Sequence, residues 1–255
     1  MSTNKCKINL ELNLNALKLS TMLKNYEEVG ETVIQENMSC EQYLYRLTEL
    51  EVEFRHNRRI ESLLKRSQFP LVKTLSSFNF NEVPGVKKEA VLQLADGNFV
   101  NDAQNVVFYG GTGSGKTHLA IALGRELCQK GYRVLFINAC DLVQMLIKSK
   151  NSLSLDKTFK NLGKYDLVIL DELGFIPFEK SESDLLFQFV SKRYERGSIL
   201  VTTNLVFKEW DKIFKDLLTT AAVVDRLIHH CVIMEFNDSY RAKEAKKKLS
   251  AKGAK

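Results

Sequence analysis

The chain has 255 residues, 44% hydrophobic and 27% charged, with three prolines and a net charge of +6. That make-up suits a soluble globular protein with room for one sizeable core and a small appendage. It has no apolar run of about 18 residues, no signal-peptide core in "MSTNKCKINLELNLNALKLS", and five scattered cysteines (Cys6, Cys40, Cys128, Cys140, Cys231) with no CxxC pair, which argues against a membrane span, a leader and a disulfide framework and for reduced thiols in the cytoplasm.

Residues 8–67 show helical spacing without strand-like runs. Ser39 and Gln42 fit a capping box that opens a long helix, with Tyr43, Leu47, Leu50, Phe54, Ile60, Leu63 and Leu64 as its apolar positions. At about 100° per residue, Arg55, Arg58, Arg59, Lys65 and Arg66 fall within a stripe about 120° wide, opposite Ile60, Leu63 and Leu64. One basic face and one packing face are therefore expected, the basic face being a candidate for DNA. A loop-like stretch follows, "FPLVKTLSSFNFNEVPGVKK".

From about residue 88 the pattern changes. Short apolar, β-branched runs alternate with helical segments: "NVVFY" (105–109), "YRVLFIN" (132–138), "YDLVIL" (165–170), "SILVTT" (198–203) and "CVIMEF" (231–236). Near-continuous apolar strands separated by helices predict an α/β domain whose parallel sheet is covered on both faces. The expected organisation is an N-terminal helical domain over 1–70, an α/β core over 71–236, and a basic tail over 237–255.

The first strand runs into "GGTGSGKT" and then a helix, which is G-x-x-x-x-G-K-[ST] in its required strand–loop–helix setting. The run Gly110, Gly111, Thr112, Gly113, Ser114, Gly115, Lys116, Thr117 and His118 is the candidate nucleotide cradle. Glycines let the backbone curl its N–H groups onto phosphate oxygens, and the helix N-terminus adds positive dipole. Lys116 can reach the β- and γ-phosphates, and the Thr117 hydroxyl can ligate Mg²⁺. By residue type, His118 reads as a helix-surface or packing residue rather than a ligand.

Further on, "LVIL" ends in Asp171 and Glu172. Two carboxylates closing a buried strand are costly unless they have work to do. Asp171 is placed to hold the Mg²⁺ shell, as in P-loop NTPases, and Glu172 to polarise a water for attack on the γ-phosphate. The next apolar strand ends in Thr202, Thr203 and Asn204. Asn204 is the candidate to hydrogen-bond the attacking water or the γ-phosphate; capping the next helix is its alternative.

The stretch "AAVVDRLIHHC" (221–231) begins as an apolar helix and carries Asp225, Arg226, His229 and His230. Adjacent helical residues point about 100° apart, so the two histidines are not expected to share a metal, and no Cys or carboxylate stands at ligand spacing beside them. They read as packing or surface residues. The last fifteen residues, "RAKEAKKKLSAKGAK", carry the whole net charge. Phosphate backbones are the natural partner of that tail and of the helical stripe, bound through backbone and shape because no base-reading module is evident.

"GSGKTHLAIALG", "LVILDELGFIPFEK", "LLFQFVSKRYERGSILVTTNL", "EWDKIF", "DRLIHH" and "NDSYR" together resemble the IstB-like AAA+ ATPases, the transposition helper proteins of bacterial insertion sequences. "RHNRRIESLLKRSQFP" and "LSSFNF" are similar to that family's linker, so the resemblance covers about residues 40–245. Positions 111–112 depart from it, being Gly-Thr where members often carry Pro-Pro, and residues 1–38 are only weakly similar. The resemblance implies a P-loop NTPase of the AAA+ kind with a five-stranded parallel sheet. With 19 residues after Phe236, no separate lid domain is expected.

It further implies ATP and Mg²⁺ as cofactors and a site completed by an arginine from a neighbouring subunit, for which Arg226 is the candidate. Arg241 would sense nucleotide from its own subunit. Phe78 and Phe80 lie where the family wraps the adenine, or else anchor the core. The implied activity is ATP hydrolysis by a homo-oligomer, ring or helical, on duplex DNA, assisting a cognate transposase, with no membrane partner. A helicase-loader-like ATPase in DNA replication is the alternative. A stand-alone P-loop kinase would need an acceptor-binding insertion, and none is recognisable.

Overall fold

A computed structural model describes residues 3–237. The chain divides into two compact units, Met1–Ser62 and Leu63–Lys255, the division falling within a helix. Among the described residues no helix is long and apolar enough to cross a membrane.

The first unit is helical: α1 (Thr3–Ala16), α2 (Ser20–Gln35) and the start of α3 (Cys40–Arg66). Ser39 opens α3 through the expected box, its hydroxyl accepting from Gln42 N–H (3.2 Å) while the Gln42 carboxamide accepts from Ser39 N–H (2.8 Å). A small core of Leu14, Met22 and Leu47 forms, with Leu19, Leu23, Tyr26, Val29 and Tyr43 packed against it. Glu51 is buried and caps α2, accepting from Thr21 N–H (2.8 Å), Met22 N–H (3.2 Å) and Arg55 Nε (2.8 Å). Burial pushes its carboxyl up, but Arg55 and the two backbone donors outweigh that and hold it below the usual range. Phe54, expected to pack, is instead 39% exposed with the Arg58 guanidinium 5.7 Å from its ring centroid. Its spacing fits the helical period, but no core residue of this unit lies opposite it.

The second unit carries α4 (Lys88–Ala95), α5 (Asn98–Asn101), β1 (Asn105–Gly110), α6 (Lys116–Gln129), β2 (Val134–Asn138), α7 (Ala139–Asn151) and α8 (Leu155–Leu162). Then follow β3 (Leu167–Leu173), α9 (Lys180–Arg193), β4 (Ser198–Thr203), α10 (Asp211–Phe214), α11 (Leu217–Ile228) and β5 (Cys231–Phe236). All five strands are parallel in the order β2-β3-β4-β1-β5. This is the expected α/β sheet.

Alternate side chains feed two cores, as strand geometry requires. Val107, Ile137, Val168, Leu170 and Val201 face one, shared with α7–α11. Val106, Phe108, Phe136, Leu167, Ile169 and Leu200 face the other, shared with α4–α6. Each large side chain so buried stabilises the fold by about 1.5–3 kcal/mol. Hydrophobic cover on both faces leaves only the strand ends free to carry polar groups.

At the amino ends of β3 and β4 sits a buried cation. Arg193 donates to four carbonyls, Leu162 (3.1 Å), Tyr165 (3.1 Å), Asp166 (3.1 Å) and Ser198 (2.8 Å), and burial lowers its pKa to about 10. It fastens the α8–β3 turn to the α9–β4 turn. No sequence feature marked it.

Candidate nucleotide site

The loop between β1 and α6 lies at the carboxyl ends of the strands. Gly110 has φ 145, and a β-carbon there would meet the Phe236 carbonyl oxygen at 2.1 Å, so only glycine lets β1 run beside β5 and then turn into the loop. Gly115 caps α6 at φ 101. Gly111 differs, since a β-carbon there would meet nothing within 4 Å, and it lies with Thr112 on the exposed rim. Ser114 is buried and Gly113 half-buried beneath. The Lys116 ammonium donates to the carbonyls of Gly110 (2.7 Å) and Gly111 (2.8 Å) and reaches Ser114 Oγ (3.3 Å). This cation is held by exchangeable loop carbonyls at the mouth of a helix N-terminus, which is where phosphate charge is favoured.

Thr117 Oγ1 donates to Asp171 Oδ1 (2.9 Å), and Thr202 Oγ1 donates to the same oxygen (2.5 Å). Asp171 is 5% exposed. Burial pushes its carboxyl above the ordinary range, and the Glu172 charge adds to that against the two hydroxyls. A hydroxyl and a carboxylate side by side are the hard oxygen donors that a magnesium ion takes.

β3 bulges between Leu170 and Leu173. There Glu172 adopts φ 59, a left-handed conformation unfavourable for a residue with a β-carbon. Its N–H donates to Thr202 Oγ1 (2.9 Å) and its exposed carboxylate accepts from Asn138 Nδ2 (2.9 Å). Asn138 at the end of β2 also caps α7, accepting from Cys140 N–H (2.9 Å). Asn138 is thus the site's unforeseen member, and Thr202, already marked at the end of its strand, takes the contacts with Asp171 and Glu172. Aligning the carboxyl ends of β2, β3 and β4 would have brought Asn138 to notice. Asn204 lies exposed one residue past β4.

His118 turns to the linker, its Nε2 3.2 Å from Ser77 Oγ and its ring edge-on to Phe78 at 5.4 Å. Burial lowers its pKa. Phe78 is buried against Gly115, with the half-buried Phe80 at 4.9 Å. Both rings join the core beneath the loop. Arg241 and the basic tail lie outside the described residues.

Arg226 occupies the other end of the sheet. Its carbonyl accepts from the side chain of Asn105 (3.3 Å), the first residue of β1, whereas the phosphate loop begins at the last. Six residues of strand put about 16 Å between those ends. The guanidinium donates to Ala222 O (2.9 Å) and lies 4.9 Å from the Phe187 ring centroid. Among the described residues it forms no ion pair with Asp225 or Glu235. Of the helical basic residues, Arg55 is engaged with Glu51 and Lys18 O (2.7 Å), while Arg58, Arg59, Lys65 and Arg66 are exposed.

Comparison with known proteins adds a family. Residues 12–248 match the family model described as IstB-like ATP binding protein. The chain is 40% identical over 238 residues to an insertion-sequence ATP-binding protein of Sinorhizobium fredii, covering 92% of this chain and 80% of that one. It is 36% identical to the insertion sequence IS21 ATP-binding protein of Pseudomonas aeruginosa, covering 93% and 90%. In fold it is similar to AMPPCP-bound DnaA from Aquifex aeolicus, at a TM-score of 0.56 and 22% identity over 72% of this chain and 56% of that one. It is also similar to DnaI, at 0.55 and 18% over 69% and 93%.

Proposed function

The chain belongs to the IstB-like ATP-binding family, and from that premise we propose that it is an ATP-hydrolysing AAA+ protein that assembles on duplex DNA and assists a partner transposase of an insertion sequence, in the cytoplasm. The Thr117–Asp171 pair carries the reading, because it joins the P-loop hydroxyl to the β3 carboxylate beside Lys116. Relatives named for insertion sequences, matched over most of their length, supply the biological setting.

In this reading the N–H groups of residues 111–117 cradle the phosphates, and Lys116 exchanges its carbonyl partners for β- and γ-oxygens. Phe78 packs beneath the loop against Gly115, and the half-buried Phe80 beside it would flank the base. Thr117 and Asp171 would hold Mg²⁺, which neutralises charge on the phosphate oxygens. Glu172 orients and polarises the attacking water once it leaves Asn138, and Asn204 hydrogen-bonds that water or the γ-phosphate. Arg226, at the far end of its own sheet, serves a neighbour's site, where such an arginine can be worth about 10³–10⁵ in rate. Arg241 would sense nucleotide within its own subunit. Arg58, Arg59, Lys65, Arg66 and the tail meet DNA phosphates, with Arg55 divided between that role and Glu51.

The test is electron microscopy of Glu172→Gln protein with ATP, Mg²⁺ and duplex DNA, alongside ATP turnover of the unmodified protein with and without duplex. Rings or helical filaments on DNA and duplex-stimulated turnover are expected. Monomers on bare DNA, with turnover indifferent to duplex, would overturn the reading. A stable complex with a replicative helicase and a preference for single strands would replace it with the helicase-loader alternative.

A further inference from the structure

α11 ends at Ile228, with His229 as its cap, still helical and donating its N–H to Asp225 O (3.0 Å), and His230 in the turn beyond. Rather than diverging around a helix, their rings lie 4.2 Å apart, centroid to centroid. The turn after α9 brings Glu195 to them, and one ligand atom from each of Glu195, His229 and His230 lies within 4.8 Å of the other two. All three side chains are exposed, so no cost of burying charge opposes an incoming cation.

Two further features suit a metal. Tyr194 Oη lies 2.8 Å from His229 Nδ1. With Nδ1–H donating to the phenol oxygen, the ring is oriented and its Nε2 lone pair is free, which is how metal-bound histidines are held. Glu195 also stands at φ 56, a left-handed conformation that a residue with a β-carbon adopts at a cost. Beside the trio is a polar cavity of about 140 Å³, lined by Glu195, His230, Tyr194, Asp102 and Arg226 among others.

We propose that Glu195, His229 and His230 form a binding site for a divalent transition-metal ion of the zinc class. Two imidazoles and a carboxylate match that ion, and three protein ligands leave a position for water, the arrangement of an exchangeable site rather than a closed structural one. The ion ties the α9–β4 turn to the end of α11 and so fixes the helix end that presents Arg226. This consequence for Arg226 rests on the inter-subunit role proposed above; the binding itself does not.

The experiment is cobalt(II) titration of untagged, chelator-treated full chain without nucleotide, followed by visible absorption and by zinc displacement. One equivalent with d–d bands is expected, together with a rise in Tm when zinc is added. His229→Ala or His230→Ala should weaken cobalt binding about tenfold or more, Glu195→Gln should weaken it, and His56→Ala should not. Asp171→Asn should leave the cobalt spectrum intact, which separates this site from the nucleotide site. Cobalt binding only at millimolar concentration, or binding that survives in the His229→Ala/His230→Ala double variant, would overturn the proposal.

Discussion

Thr202 is the most exacting position in the site. It is 1% exposed, and its hydroxyl does two jobs: it donates to Asp171 (2.5 Å) and accepts from the Glu172 N–H in the β3 bulge (2.9 Å). Thr202→Val keeps the shape and removes both. Asp171 Oδ1 retains Thr117, so the carboxylate loses one of two partners. The Glu172 N–H, partly buried within the bulge, loses its Thr202 acceptor. An orphaned buried donor costs about 1–3 kcal/mol and a lost bond to a charged acceptor about 1.5–3 kcal/mol. The two are neighbours and share one hydroxyl, so a combined loss of about 2–4 kcal/mol is expected rather than the full sum. At about 2–4 °C per kcal/mol, Tm should fall by about 5–15 °C. ATP turnover should fall as well, because the bulge that aims Glu172 is loosened. Thr202→Ser restores the hydroxyl and should recover most of both. Urea and thermal unfolding of the three proteins measure this. A Thr202→Val protein within about 0.5 kcal/mol of the parent, with unchanged slope in urea, would show that the hydroxyl holds neither group.

Arg226→Ala should abolish assembly-stimulated hydrolysis while leaving nucleotide affinity intact, and Lys116→Ala should weaken nucleotide binding about 10–100-fold. Mixing the two should recover part of the hydrolysis, since each supplies what the other lacks; no recovery would place Arg226 outside the neighbour's site. Arg193→Ala strands four carbonyls and should cost about 3 kcal/mol or more in denaturant unfolding, with no change in binding per folded molecule. Asp171 supplies a pH test. Its folded-state pKa is raised above the unfolded 3.8, so its stabilising contribution is present below that value and is lost as pH rises through the folded pKa. Asp171→Asn should remove that decline from the stability–pH curve and lose metal-dependent nucleotide binding; an unaltered curve would contradict the burial of the carboxylate.

The strands were legible because each is a short apolar run, and in β1 to β4 burial on both faces leaves no other composition open, whereas β5 at the sheet edge exposes Ile233 and Glu235. The phosphate loop was legible because its chemistry lies in eight consecutive residues whose glycines set their own backbone angles. The same holds for the Ser39–Gln42 cap, a contact three residues long. What the sequence could not settle are meetings between distant segments. Asn138 reaches Glu172 across 34 positions and Thr202 reaches Asp171 across 31, and both depend on strand order and on a bulge that no local signal encodes. Phe54 obeys the helical period yet stays exposed, because a period specifies a face and not whether anything covers it. Arg226 is the candidate that the family resemblance supplies for a neighbour's site, but only parallel topology sets it at the end of its own sheet away from the phosphate loop. His229 and His230 were expected to diverge as helical neighbours. The helix closes with His229 as its cap, His230 stands in the turn beyond it, and a turn thirty-odd positions upstream supplies the carboxylate that spacing alone could not find.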